Sequence, residues 1–312
     1  MSLFSAKLPS RVNMADAFIT LHKNDEFSFF LDREINQDNR FSVIGASQLL
    51  LGADQIEKHL EELNSIADVD LPFDFRPGLV GAISYEGEKL FMPVDRALVL
   101  DHDNQALYFI GLFETEEDFR HWEQAALLRL ALIGGELANY LAAHKLETPV
   151  SVTYRHSDAE YLHLIEKCKE YIAKGDAYQL CLTNQIVIET NNNPFATFLK
   201  LRKANPAPYT SYIRLGKTAL VSSSPEQFLK VSNGVVSTKP IKGTRPRGTD
   251  VETHRVLAEE LRSNEKERAE NLMIVDLMRN DFGRICYEDS IKVPRLLETE
   301  NLPGLSHLVS DI

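Results

Sequence analysis

The N-terminal half of the chain is a series of short apolar runs separated by turn-forming residues. Runs of β-prone apolar residues predict strands at 27–31, 41–44, 78–84, 97–100 and 106–112. Two stretches, 54–66 and 116–146, carry apolar residues at helical spacing, and Gly134 and Gly135 interrupt the second. The pattern therefore predicts short strands with two helical insertions.

The second half opens on a well-marked helix and an alternating segment. Ser157 and Glu160 form a capping box, and Gly175 ends a helix predicted over 157–174, whose apolar stripe predicts one buried face. Apolar and polar residues alternate from 177 to 189, which predicts a strand with Gln179 in its polar row. Such a row can line a site or face solvent, and the pattern does not decide between the two.

The rest of the chain alternates between helical patterns and short strands. Helices are predicted at 194–204, 251–262 and 264–280. Strands are predicted at 210–215, 218–223, 227–232 and 235–238, with 239–250 as a loop. The Asn233-Gly234 pair between two of these strands is typical of a tight hairpin. The fold class is α+β, a largely antiparallel sheet with helices packed on it.

A polar stretch at 147–152, which contains Pro149, marks the predicted domain boundary. It divides the chain into an N-terminal domain, 1–148, and a second domain, 149–312. A length of 312 residues is compatible with two domains of ordinary size.

Charge and cysteine content narrow the class of protein. The chain has 34 Lys and Arg against 46 Asp and Glu, a net charge of −12, which argues against a nucleic-acid partner. The three cysteines form no Cys-x-x-Cys pair, which argues against a disulfide framework or a structural zinc site and is typical of a reducing cytoplasm. No apolar run is long enough for a membrane span or a secretory signal. We expect a cytoplasmic protein without membrane contact.

Three features carry groups that could do chemistry. Glu226 follows Ser-Ser-Ser-Pro at a strand junction, where most glutamates are simply solvated. The segment 239–247 holds four cations, two prolines and a glycine, which suits a small anion or an activated lysine, and equally a loop paired with local carboxylates. Glu267 and Glu270 share one helix face, as Mg²⁺ ligands can, although most such pairs face solvent.

The order of these features resembles the chorismate-utilising enzymes. Six segments carry the resemblance: Gly-Asp-Ala-Tyr-Gln-Leu-Cys-Leu-Thr (175–183), Asn-Pro-Ala-Pro-Tyr (205–209), Ser-Ser-Pro-Glu (223–226), Pro-Ile-Lys-Gly-Thr-Arg-Pro-Arg-Gly (240–248), 268–281 and His-Leu-Val-Ser (307–310). Segments 30–32, 40–45 and 78–86 resemble the N-terminal part of the same family. The likeness covers nearly the whole chain.

The resemblance implies a fold and a division of roles. The fold is a two-sheet β-sandwich with helices outside. Glu270 is expected to bind Mg²⁺ with Glu267 in its outer shell, and the metal to hold a carboxylate of the dianion chorismate. The expected catalytic and substrate-binding roles are a general acid at Glu226, a hydrogen bond from His307 near the reacting ring, and substrate contacts from Gly243 and Thr244.

Two positions indicate which branch of the family is closest. Isochorismate and salicylate synthases use a lysine where this chain has Gln179, and a glutamine cannot activate water as a base. Anthranilate-forming members typically have alanine at the position of Lys242. In the branch that makes 4-amino-4-deoxychorismate a lysine is proposed to attack C2 of chorismate. The resemblance therefore implies amination of chorismate, with ammonia from a glutamine amidotransferase subunit.

Two alternatives stay open at this point. One is the anthranilate-forming branch. The other is a non-catalytic subunit that binds chorismate or tryptophan. Tryptophan-binding relatives carry Leu-Asp-Ser or Leu-Glu-Ser where this chain has Leu31-Asp32-Arg33, so we expect no tryptophan binding.

Family members normally continue for over a hundred residues past the His-Leu-Val-Ser motif. The later segments supply a substrate-binding arginine and a second glutamate for Mg²⁺, and no counterpart is found in these 312 residues. We therefore expect the C-terminal part of the fold to be absent from this polypeptide, and the chain alone to have little aminating activity.

Overall fold

The computed structural model describes residues 1–36 and 40–312. Within these residues the chain forms sixteen β-strands and eight α-helices. The strands are β1 (Ser2–Pro9), β2 (Phe27–Leu31), β3 (Phe41–Ser47), β4 (Gly78–Ile83), β5 (Lys89–Val94), β6 (Arg96–Asp101), β7 (Ala106–Phe113), β8 (Ser151–Tyr154), β9 (Ile186–Glu189), β10 (Tyr209–Leu215), β11 (Thr218–Ser224), β12 (Gln227–Ser232), β13 (Val235–Lys239), β14 (Ile241–Pro246), β15 (Arg295–Leu302) and β16 (Leu305–Asp311). The helices are α1 (Met14–His22), α2 (Ala53–Asn64), α3 (Glu116–Leu130), α4 (Glu136–Ala143), α5 (Asp158–Lys174), α6 (Pro194–Ala204), α7 (Val251–Ser263) and α8 (Glu265–Phe282).

A seven-stranded antiparallel sheet is the largest element, in the order β1-β7-β6-β3-β2-β10-β11. The strand β2 pairs with β3 on one side and with β10 on the other. Two strands from the second half of the sequence therefore complete a sheet that the first half begins. The strand β7, which lies next to the edge strand β1, is buried along its whole length.

Aromatic side chains fill both faces of this sheet. On one face the ring of Phe30 lies 6.0 Å from that of Phe18 in α1 and 5.3 Å from that of Phe198 in α6. On the other face Phe29 belongs to a buried cluster with Phe73 and Met92. Because rings bury large apolar areas, this sheet has the main hydrophobic core of the chain.

The chain divides into two compact units, one of residues 1–139 and 198–312 and one of residues 140–197. This division differs from a boundary at 148/149. The larger unit combines both ends of the sequence because β10 and β11 belong to the seven-stranded sheet.

The last third of the larger unit contains a three-stranded sheet, β14-β16-β15, with α7 and α8 packed against it. Its small core includes Leu261, Leu297 and Leu308. The segment 241–246 is thus a strand rather than part of the predicted loop at 239–250. Beside it, β12 and β13 form the predicted hairpin, in which Asn233 (φ 50°) and Gly234 (φ 74°) both have positive φ.

The smaller unit confirms one prediction and corrects two. The capping box of α5 and the left-handed Gly175 (φ 81°) are as predicted. The predicted strand 177–189 is wrong over 177–185, because only β9 finds a partner, the four-residue β8. The predicted buried stripe of α5 is also wrong, since none of its residues is buried. Tyr178 and Ile188, two of the apolar residues of that alternating segment, are exposed.

The predicted α+β class with antiparallel sheets is confirmed. Among the described residues, the strands outside the seven-stranded sheet form four small sheets of two or three strands rather than one second sheet. In three of the strand pairs in these sheets, β4–β5, β12–β13 and β15–β16, the two strands are consecutive in the chain and form a hairpin. In the described parts of the chain, no helix combines the length and apolar character that a membrane span needs.

Candidate active site

Three residues that face one another across the three-stranded sheet form the centre of the candidate site. His307 in β16 lies opposite Thr244 in β14 on one side and opposite Glu300 in β15 on the other. Directly opposed residues of antiparallel strands share one face of a sheet, so the three side chains form a row. The Thr244 hydroxyl oxygen lies 2.8 Å from Nδ1 of His307.

His307 is buried, and its Nε2 atom has no hydrogen-bond partner among the described residues. Burial lowers the pKa of His307, and the carboxylates of Glu300 and Glu226 act in the opposite direction without cancelling that effect. The lowered pKa favours the neutral imidazole at neutral pH. A neutral ring can accept the Thr244 hydroxyl proton at Nδ1 and present Nε2–H as a donor.

Glu226 lies in the turn between β11 and β12. One of its carboxylate oxygens accepts the backbone N–H of Ile241 at 3.0 Å, and this bond ties the turn to the start of β14. The side chain of Glu226 is exposed.

The two lysines of the cationic segment have different surroundings. Lys239 is buried, and its Nζ lies 2.7 Å from Oε1 of Glu300. Lys242 is half-buried, and its amine makes no ion pair with any residue that the structure describes. Of the two, Lys242 is therefore the amine that is not held by a carboxylate.

Gly243 brings β14 close to α8. Its φ is +94°, and a Cβ added there would lie 3.0 Å from Cδ1 of Leu261 and 3.1 Å from Oε2 of Glu267. A side chain at this position would be strained by its backbone conformation and crowded by both helices.

The carboxylates of α8 have different partners. Glu267 pairs through Oε1 with Nη1 of Arg245 at 3.2 Å, and Nε of Arg245 lies 2.6 Å from Oε2 of Glu260 in α7. The Arg245 hydrogen bond lowers the pKa of Glu260. Arg245 thus ties β14 to both helices. Glu270, one turn further along, is half-buried.

The donor chemistry of Glu270 and Glu267 fits Mg²⁺, which takes one or two carboxylates and keeps several waters. No group of three or more His, Cys, Asp or Glu in residues 1–36 and 40–312 could hold a metal ion. Arg245 already engages one oxygen of Glu267. The two carboxylates therefore have the donor chemistry that a hydrated Mg²⁺ ion would use.

The structure brings Thr244, His307 and Glu226 together and places Gly243 against Glu267. Gln179 lies in the smaller unit, in the irregular segment between α5 and β9. Sequence reasoning missed Glu300, whose pairing with Lys239 depends on the register of β15. The signal that could have pointed to it is the Pro303-Gly304 pair before His307, which is typical of a turn between two strands.

The segment Leu31-Asp32-Arg33 lies at the end of β2. The Arg33 guanidinium donates to the backbone oxygens of Asp32 at 2.8 Å and Thr210 at 3.2 Å, and it lies over the ring of Tyr209 at 5.4 Å. Arg202 pairs with the Asp32 carboxylate at 2.7 Å. Burial lowers the pKa of Arg33. The arginine is therefore an integral part of this corner.

Comparisons with known proteins agree on one family. The family model for chorismate binding enzyme matches residues 16–312. An aminodeoxychorismate synthase of Streptomyces griseus is 32% identical over 100% of this chain and 50% of its own length. Aminodeoxychorismate synthase component 1 of Salmonella typhimurium is 32% identical over 78% of this chain and 55% of its own length. The chain spans about half the length of these curated relatives.

A solved structure supports the fold. Anthranilate synthase component I from Streptococcus pneumoniae superposes with a TM-score of 0.71 at 22% identity, over 98% of this chain and 68% of that one. The family model covers almost all of the sequence, and the fold of a solved relative agrees with it. The chain belongs to the chorismate-binding enzyme family.

Proposed function

We propose that this chain acts in the amination of chorismate to 4-amino-4-deoxychorismate. The observation that carries the proposal is Lys242, a half-buried amine without an ion-pair partner among the described residues, two positions from Thr244. The names of the Streptomyces and Salmonella relatives support the same reaction. The runner-up is formation of anthranilate, which is supported by the name of a relative from Acetivibrio thermocellus, anthranilate synthase component 1, 35% identical over 71% of this chain and 47% of its own length.

Lys242 is proposed as the nucleophile. Its amine forms a bond to C2 of chorismate, the two ring double bonds shift, and the C4–O bond breaks. Glu226 donates the proton with which the hydroxyl leaves as water. Ammonia then attacks C4, the double bonds shift back, and the C2–N bond breaks to release the lysine. Covalent catalysis of this kind divides one difficult substitution into two easier steps.

The other site residues are proposed to bind and orient the substrate. The backbone at Gly243 and the Thr244 hydroxyl would contact the ring substituents, and His307 would donate from Nε2. A Mg²⁺ ion on Glu270, with Glu267 outside, would supply positive charge for a substrate carboxylate. Gln179 is not proposed as a base, because an amide does not take up a proton at neutral pH.

Ammonia is proposed to come from a glutamine amidotransferase subunit. The Salmonella relative is named as component 1, which implies a further component of that enzyme. Transfer through a partner would keep ammonia unprotonated until it reaches C4.

Intact-mass spectrometry tests the nucleophile without requiring turnover. The chain is incubated with chorismate and Mg²⁺ in the absence of ammonia, and we expect an adduct of chorismate minus one water on Lys242. Lys242→Ala should abolish the adduct, and the exposed Lys217→Ala should keep it. An adduct that survives Lys242→Ala would contradict the covalent role.

Product identification then distinguishes the two aminating reactions. With an ammonium salt present, 4-amino-4-deoxychorismate supports the proposal and anthranilate supports the alternative. A chain that binds chorismate but yields neither product would favour a binding role.

A further inference from the structure

The ion pair between Lys239 and Glu300 joins a buried lysine to the row Thr244–His307–Glu300 of the candidate active site. Nζ of Lys239 is 2.7 Å from Oε1 of Glu300, and the two side chains are 10% and 20% exposed. A buried cation that loses its counter-ion is strongly destabilised. The pair therefore fixes the position of both groups.

The pair reaches His307 through Glu300. Glu300 and His307 are opposite each other in β15 and β16, so the carboxylate lies beside the imidazole. Lys239 ends β13, and Pro240 separates it from β14, which carries Thr244 on the other side of His307. Lys239 thus connects the strands on both sides of the histidine.

The charged groups that act on His307 come from several elements. Glu300 comes from β15 with Lys239 attached to it, and Glu226 comes from the β11–β12 turn. The strand β14 presents the uncharged Thr244 to His307 and also carries Lys242 and Arg245, of which Arg245 pairs with Glu260 and Glu267. The helix α8, packed on β14 and β16, carries Glu267 and Glu270.

We propose that Lys239 and Glu300 act as a positioning pair for His307, in which Lys239 offsets the charge of Glu300 so that the ring stays a neutral imidazole with Nε2–H available to the substrate. The inference deepens the proposed function and rests on it for the identity of that substrate. An unpaired carboxylate beside His307 would favour imidazolium, and Lys239 offsets that effect by neutralising Glu300. Because Glu226 also lies nearby, a second uncompensated carboxylate would move the ring towards its charged form.

The proposal predicts opposite effects for the two partners. Lys239→Met leaves Glu300 uncompensated and should raise the pKa of His307. Glu300→Gln leaves the Lys239 cation and should lower the pKa of His307. The double variant removes both charges and should return the pKa close to its original position. Each single change should alter the ratio of imidazolium to imidazole on the order of tenfold at a given pH.

The measurement is an NMR titration of the 312-residue chain with labelled histidine, in which His307→Asn assigns the signal. Lys217→Met and Glu298→Gln are matched controls, because both residues are exposed and Glu298 lies on the same strand as Glu300. Neither control should move the signal. Nitrogen shifts of the unaltered chain at pH 7 should report a neutral ring with the proton on Nε2.

Several outcomes would overturn the proposal. They are an imidazolium at pH 7 in the unaltered chain, no shift in folded single variants, or shifts of the same sign in both. If Lys239→Met does not fold, Lys239→Arg takes its place, because it retains the charge and should leave the titration of His307 unchanged. The measurement on the unaltered chain still shows whether His307 is neutral or an imidazolium at pH 7. No chorismate is present, so failure here is separate from failure of the amination proposal, which the adduct and product assays test.

Discussion

The seven-stranded sheet and the three-stranded sheet differ in how completely they are covered. In the first, Phe29 and Phe30 are fully buried and lie on opposite faces, each against its own aromatic cluster. In the second region the core is a few residues around Leu308, and apolar side chains of the adjoining hairpin such as Phe228 are 81% exposed. The main core and the candidate site are therefore in different parts of one unit.

Because of this difference, we expect the two regions to contribute differently to folding stability and to ligand binding. A sheet packed on both faces opens only with global unfolding, whereas a thinly covered sheet opens at a lower free energy. The row Thr244–His307–Glu300 depends on backbone register and a buried ion pair rather than on a large apolar core. Stability should be sensitive to substitutions in the first region, and ligand binding to substitutions in the second.

The largest effect is expected from Phe30→Ala. The side chain is fully buried between Phe18 and Phe198, so its removal should lower the free energy of unfolding by about 3–5 kcal/mol. Urea unfolding followed by circular dichroism measures the change. Phe228→Ala is the matched control in the second region, and it should stay within about 0.5 kcal/mol. Equal losses would remove the distinction between the two regions.

Asp101 should make the first region sensitive to acid. Burial raises its pKa, but hydrogen bonds from Arg40 and Asn104 outweigh burial and lower the pKa from 3.8 to about 2. A carboxyl with a lowered folded-state pKa stabilises the fold above its unfolded-state pKa, and that stability is lost as pH falls through the folded value. The amount lost between pH 5 and pH 2 should be about 2 kcal/mol.

Asp101→Asn should therefore be less stable at pH 7 and show a flatter decline between pH 5 and pH 2. Urea unfolding at several pH values measures this. Asp103→Asn is the control, because its exposed carboxylate lies 3.4 Å from the same Arg40. A parallel decline in the Asp101 variant and the unaltered chain would contradict the assignment.

Elements fixed by neighbouring residues could be predicted from the sequence. The strand β2 has its predicted limits, 27–31, and Ser157, Glu160 and Gly175 mark the ends of α5. The turn at Asn233-Gly234 likewise follows from two residues that tolerate positive φ. In each case the physical cause lies within one turn of helix or one hairpin.

Elements fixed by distant partners could not be predicted. The strand β14 was predicted as a loop because its Pro and Gly residues disfavour a strand, and its partner β16 is some sixty positions away. The alternating pattern of 177–185 predicts a strand, but an edge without a pairing partner does not form one. The family motifs contain most of the site residues. The Lys239–Glu300 pair depends on the register of β15, and that register cannot be derived from the sequence.

Two glycines of the second region, Gly243 and Gly234, should respond differently to substitution by alanine. Gly243→Ala and Gly234→Ala each place an alanine at positive φ, which costs roughly 1–2 kcal/mol. Only at Gly243 would the new Cβ also crowd Leu261 and Glu267, and nothing lies within 4 Å at Gly234. Gly243→Ala should therefore be the less stable variant, by on the order of 1 kcal/mol, and should alone weaken chorismate binding. Thermal unfolding and chorismate titration test both points.

Tryptophan is expected not to bind the N-terminal region at all. The Arg33 guanidinium donates to two backbone oxygens and lies over Tyr209, and Asp32 is engaged by Arg202. An amino acid seated there would have to displace a half-buried cation and leave those carbonyl oxygens unpaired, which is unfavourable. Calorimetric titration of the chain with tryptophan should show no binding heat, and the unfolding temperature should not change. Micromolar affinity would contradict this and would show that the corner is an amino-acid site despite its arginine.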